Sequence, residues 1–512
     1  MDIISFSKQS FSSKDLSRTK RRKTYDSDDD QTGKNITEGQ ALMRNILGTK
    51  VQSIVINDEI NVQDYKKVFF EDYEKDLNGS FTKMQPESQL NILKEQYELF
   101  DGHQLTQTQH KGTNQAIDIQ DQVVSINKIS EKLSGLNDLI ELKLINCSLL
   151  PIECERLVKS CKDTLAQVRV LDLSLNPIKF IGLLHLLNKK HSHLYNLESL
   201  ILVSCGIKNT QIKAIGSLYS HFNNTYYLTL SKLTYLNLSY NNKIGKIVQV
   251  LMGSDNTNSI IQVQQLKDIR LVECALTDKF TLKWLAKVSD FMIDLRSIDL
   301  SYNRFHDFKT ITQVLNKITT LQSISLSVCE LKIKKVEGDC QMQTYPIMFE
   351  NLTFLDLSNS INGDKQLRVF LKSVKFRSLE FLRLKNCNIS KHGFRKLLLS
   401  QNLLSLKVLM LKDNNIDKLI NPLHDKNDSE VKTMKLEVLD LRGNMINNLD
   451  AFYPHFPRQL FTQTLILLDD NPLRHEKLFF MQMNHPSIIS VRANAFLLAE
   501  STQIQRDFLE QL

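Results

Sequence analysis

Between residues 139 and 473 one eleven-residue tag recurs twelve times, and its spacing leaves few ways to fold. The first copy, LIELKLINCSL (139–149), has the form LxxLxLxxCxL, and the second, VRVLDLSLNPI (168–178), carries Asn at the ninth position. The ninth positions are Cys147, Asn176, Cys205, Asn241, Cys274, Asn303, Cys329, Ser360, Cys387, Asn414, Asn444 and Asn471. They lie 26 to 36 residues apart, mostly 27 to 31. A fixed period of this length is the mark of stacked repeats, in which each unit buries its apolar face against its neighbours.

The leucines at the fourth and sixth positions alternate with outward residues, as a strand requires, so Leu142 and Leu144 point inward. The spacing leaves room for a helix after each strand, for example over 278–288. Where the chain leaves the strand, backbone groups are buried and need partners. Asn both donates and accepts there, whereas Cys fills the same space as a small apolar group with a weak donor. The reading of these Cys and Asn residues is therefore structural. None of the tag cysteines has a His within its tag to activate it.

Alternation of Cys and Asn in repeats of this length resembles the ribonuclease-inhibitor-like class of leucine-rich repeats. The resemblance covers about two-thirds of the chain and implies an α/β solenoid, a horseshoe with a concave parallel sheet and convex helices. Ser360 departs from the pattern, alternation stops after Cys387, and two repeats before Cys274 are long.

Around the array the expected organisation is a disordered tail over 1–45, a mixed region or cap over 46–134, repeats over 135–473 and a helical cap over 474–512. Within 46–134, residues 51–56 read as a strand and 88–100 as a helix, and 117–136 carry apolar residues spaced to shield the first repeat. Helices are expected over 479–483 and 493–512. The tail holds a basic run, Lys20 to Lys23, before an acidic run, Asp26 to Asp30, with Ser27 inside it. The basic run reads either as a nuclear address or docking patch or as a solvated tail.

The eight cysteines read as reduced thiols, with Cys154 and Cys161 too far apart on a helix for a disulfide. No run of eighteen apolar residues occurs, so no membrane span is expected. A net charge of +8 on 512 residues is too mild to argue for nucleic acid. No P-loop, kinase or GxSxG motif appears. His191 and His193 lack a third ligand, and the faint calcium-loop echo at 74–81 has Gln85 where a bidentate Glu is required. Neither an enzyme, a metal nor a cofactor is expected.

What remains is a protein-binding scaffold without a small-molecule substrate. The alternatives are a GTPase-activating protein of the Ran type and a ubiquitin-ligase substrate receptor. The cytoplasm is the expected compartment, with nucleus or cilium as alternatives. Twelve strands at about 4.8 Å spacing make a face roughly 50 Å long. On it, Arg270 is expected beside Asp299 and Asp356 beside Arg383, which leaves the face largely self-neutralised. Exposed aromatics beside Arg are what interfaces favour. The candidate partner-binding residues are therefore Tyr235, Phe354, Phe381, Arg383, Lys385, Met410 and Lys412. Extra length within 209–231 and 243–264 is a second candidate, as projecting loops.

Overall fold

The computed structural model describes residues 116–121, 126–133, 136, 138–210, 212, 227–253, 259–333, 346–419, 434–447, 464–473 and 488–489. All of them belong to one compact unit, Asn57–Leu512. The tail with its charge runs, the elements expected over 51–56 and 88–100, the calcium-loop echo and the C-terminal helices lie outside the described residues.

Fourteen strands form one sheet, and their order in space follows their order in sequence. Neighbours pair in parallel, as in Phe354↔Phe381 and Phe381↔Val408. Each tag supplies one short strand, such as Val170–Asp172, Ser297–Asp299 or Phe381–Arg383. The fourth- and sixth-position leucines face the core as the alternation predicts, with Leu382 and Leu384 fully buried. Helices return behind the sheet, among them Pro151–Ser160, Asp278–Val288, Phe308–Asn316, Gly363–Ser373 and Lys391–Leu398. The fold is a leucine-rich-repeat solenoid with strands on the concave side and helices on the convex side.

Two strands of this sheet lie beyond the twelve tags. Ala116–Gln120 pairs in register with Glu141–Ile145, and Ile488–Ile489 pairs with the last tag strand. Between the first of these and the first tag strand, helix Ile126–Leu133 buries Ile126, Ile129 and Leu133 in the common core.

A second, smaller sheet also lies among the described residues. After the Cys329 tag, strand Ile347–Phe349 pairs in parallel with Val374–Phe376 as a separate two-stranded sheet. Phe349 stacks on Phe376 at 6.0 Å, and Phe370 meets both Phe308 and Phe376 at 5.9 Å. These rings pack together beside the smaller sheet. In one long repeat, 243–264 contains an ordinary convex helix, Gly245–Met252, and not only a projecting loop. The extra length of the other falls mostly outside the described residues.

Candidate functional site: the concave face

The floor of the face is set by three hydrogen-bond ladders. The first is built by the ninth-position Asn. Asn303 Oδ1 accepts from the backbone N–H of Cys274 at 3.1 Å and of Leu276 at 2.9 Å. Its amide donates to the carbonyls of Leu271, Leu300 and Ser301. Asn176, Asn241 and Asn414 repeat the pattern. Each Asn therefore secures the turn of the repeat before it.

Cysteine performs a weaker version of the same task. Cys205, Cys274 and Cys329 each donate Sγ–H to a carbonyl of the preceding repeat at 3.2 Å. Burial pushes the Cys329 and Cys387 thiols up to about 12, so they remain neutral and are poor nucleophiles.

The second and third ladders explain the LDLS form of the Asn-type tags. The Asp at the fifth position accepts from the N–H two residues on: Asp172 from Ser174, Asp299 from Ser301, Asp356 from Ser358. The Ser hydroxyl in turn accepts an N–H of the next strand, as Ser174 does from Val203 and Ser358 from Lys385. These acidic residues are turn-makers first. Burial raises the Asp172 carboxyl to about 6, and burial also raises Asp299 against the opposing Ser301 bonds and Arg270.

On this floor Phe354 and Phe381 occupy paired positions of neighbouring strands and stack, ring centroids 5.0 Å apart. The Arg383 guanidinium lies 5.8 Å from the Phe354 centroid and 5.7 Å from that of Phe381. Its Nη1 donates to Asp356 Oδ2 at 3.3 Å, the cross-strand pair expected from the sequence. Lys385 reaches Asp413 at 3.6 Å. The cluster is half-buried, rigidly based and paired in charge.

Tyr235 does not belong to this cluster. Three strands separate its strand from that of Phe354, which puts the two roughly 19 Å apart. Tyr235 has its own cation, the Arg270 guanidinium, 5.5 Å from its ring. Arg270 bonds to Asp268 at 3.4 Å rather than to Asp299. A residue two places back on the same strand projects to the same face, so Asp268 competes with Asp299 for Arg270, whereas Arg383 has Phe381 at that place and turns to Asp356. Asp268 escaped the sequence reading because its position is filled by different residue types in other repeats.

Met410 and Lys412 face the concave side, yet they are only 5% and 6% exposed. Lys143 is likewise covered, and it pairs with Glu141 at 2.9 Å. The period of a strand assigns a side, whereas exposure depends on everything laid against that side. Met410 and Lys412 thus border the aromatic cluster without adding open surface to it.

Among the described residues no three His, Cys, Asp or Glu side chains gather where they would hold a metal ion. Among those residues, too, no helix is long and apolar enough to cross a membrane.

No family model matches the chain. A leucine-rich-repeat protein of Leptospira interrogans has a similar solved structure, with 18% identity, 73% of this chain and 89% of that chain covered, and a TM-score of 0.39. An internalin of Listeria monocytogenes shows 17% identity, coverage of 72% and 77%, and a TM-score of 0.33. Its own tags, parallel sheet and asparagine ladder make this chain a leucine-rich-repeat protein.

Proposed function

We propose that the protein is a non-enzymatic interaction scaffold of the ribonuclease-inhibitor-like class, holding a protein partner on its concave face around Phe354, Phe381 and Arg383. The observation that supports this is the single guanidinium spread over two stacked rings and tied to Asp356. Aromatic and Arg side chains carry much of the energy of protein interfaces. Groups already held in place lose little rotamer freedom on binding. Tyr235 with Arg270 offers a second contact of the same kind along the face. The seven described cysteines are all buried free thiols, which favours a reducing compartment such as the cytoplasm.

The test is native purification of the full chain with crosslinking mass spectrometry, beside the variant F354S/F381S/R383E. A stoichiometric protein crosslinked through Lys385 and lost from the variant, with the urea midpoint of the variant near that of the wild type, supports the reading. Equal recovery from both proteins sinks it.

A further inference from the structure

Several cations of the solenoid are bonded to carboxylates. On the concave face Arg270, Arg383 and Lys385 are each bonded to a carboxylate. Arg377, Lys391 and Lys407 are bonded too, to Glu350, Asp417 and Glu380. Between these pairs lies a group that is not neutralised. Helix Gly363–Ser373 turns Leu367 and Phe370 to the core and leaves Lys365, Arg368 and Lys372 exposed on its outer side. These three span about 10 Å along the helix axis. The next helix, Lys391–Leu398, buries Phe394, Leu397 and Leu398 and leaves Lys396 half-exposed.

Among the described residues Lys365, Arg368, Lys372 and Lys396 make no ion pair. The carboxylate at hand is Asp364, and it is already engaged. Its Oδ1 accepts from the Ser390 N–H at 3.0 Å, and its Oδ2 bonds the Ser390 hydroxyl at 2.5 Å. The like charges feel one another. Lys396 is held below the usual lysine range by burial and by Arg368 and Lys372, against the pull of Asp364. Clustered cations without counter-charges repel one another, and an acidic partner relieves that repulsion.

We propose that the outer face of these two helices is a second docking surface, for an acidic segment of a protein partner. The surface is short and discrete, two helices wide, and it suits a few carboxylates rather than a long phosphate track. Phe370 and Phe394 are buried, so neither presents its ring for bases to stack on. This surface is independent of the concave reading, and the two together would let one chain hold two partners.

The experiment is fluorescence anisotropy of a labelled peptide of alternating Asp and Glu added to the full chain. The proteins are the wild type, K365E/R368E/K372E/K396E and the concave variant F354S/F381S/R383E. The wild type and the concave variant should bind alike, roughly tenfold more weakly when salt is raised to ~0.3 M. The quadruple variant should lose at least about tenfold in affinity. A neutral set, K365Q/R368Q/K372Q, should fall between and guards against misfolding of the reversed one. Absence of wild-type binding, equal binding by the quadruple variant, or much tighter binding of single-stranded DNA than of the peptide would each overturn the proposal.

Discussion

Ser360 Oγ lies 2.8 Å from the backbone nitrogen of Cys329 and accepts its hydrogen, and that is the one N–H it serves in the preceding turn. At the same place Asn303 and Asn414 each accept two. The hydroxyl is shorter by one amide, so it also reaches one carbonyl, Leu326, where Asn reaches three. Ser360→Asn should therefore stabilise the protein by about 1 kcal/mol. Urea unfolding with an unchanged or lower midpoint would show that the slot cannot take the amide.

Asp172 is buried, and its carboxyl is raised to about 6 mainly by that burial, against the Ser174 bonds and Lys143. A raised folded value means that the protonated form is favoured in the fold. Its contribution is full below the unfolded value, about 3.9, and is lost as pH rises through about 6. Asn237 fills the equivalent position and accepts the Ser239 N–H at 3.0 Å, so an amide is tolerated there. Asp172→Asn should gain on the wild type by roughly 2 kcal/mol between pH 4 and 7. Parallel stability curves across that range would refute the assignment.

The Cys329 thiol gives the opposite end of the pH scale. Burial holds it up to about 12, with the Asn303 and Tyr302 N–H groups opposing and Asp299 and Asp356 adding to the rise. In the unfolded chain a thiol titrates near about 8.5. Stability from this group is thus present below that value and is lost as pH climbs toward 12. Cys329→Ala should cost stability at neutral pH and flatten the alkaline decline by roughly 1 kcal/mol per pH unit. Urea midpoints at neutral and alkaline pH, for both proteins, make the comparison.

Gly393 sits against the Asp364 carboxylate, and a Cβ there would collide with Asp364 Oδ1 and lie 2.7 Å from Ile389 Cγ2. The close approach is what lets Asp364 hold the N-terminal cap Ser390, whose hydroxyl accepts the His392 N–H at 3.1 Å. Gly393→Ala should destabilise by about 2 kcal/mol. Amide exchange over 390–394 should rise with it, and protection equal to the wild type would count against the link.

Much of the fold was legible because it rests on short-range periodicity. Leu382 and Leu384 declare their side by alternation, and Asn303 declares its turn by recurring in phase. Strand Ala116–Gln120 was not legible in the same way, since Ile117 and Ile119 lack Leu at the first position of a tag and Cys or Asn at the ninth. Strand Ile347–Phe349 was not legible either, because its packing comes from rings distant in sequence, with Phe349 stacked on Phe376. The candidate site divides along the same line. The Asp356–Arg383 pair matches the strand register, with no nearer carboxylate on the Arg383 strand. The choice of Asp268 over Asp299 by Arg270, and the covering of Met410 and Lys412, depend on competition and on long-range contacts that no tag encodes.

The ladder of ninth-position side chains also gives the solenoid a grain. Where an Asn follows a Cys, as Asn303 follows Cys274, the junction carries two accepted N–H groups and a donated amide. Where a Cys follows an Asn, as Cys329 follows Asn303, it carries a thiol contact of 3.2 Å to the Leu300 carbonyl and one hydroxyl bond, in which Ser301 Oγ accepts the Ser327 N–H at 3.3 Å. Firm and soft seams therefore alternate along the first nine repeats, and the indivisible brick of this wall is a pair of repeats. Pulled from its ends, such a chain should part at the soft seams first and shed its repeats two at a time.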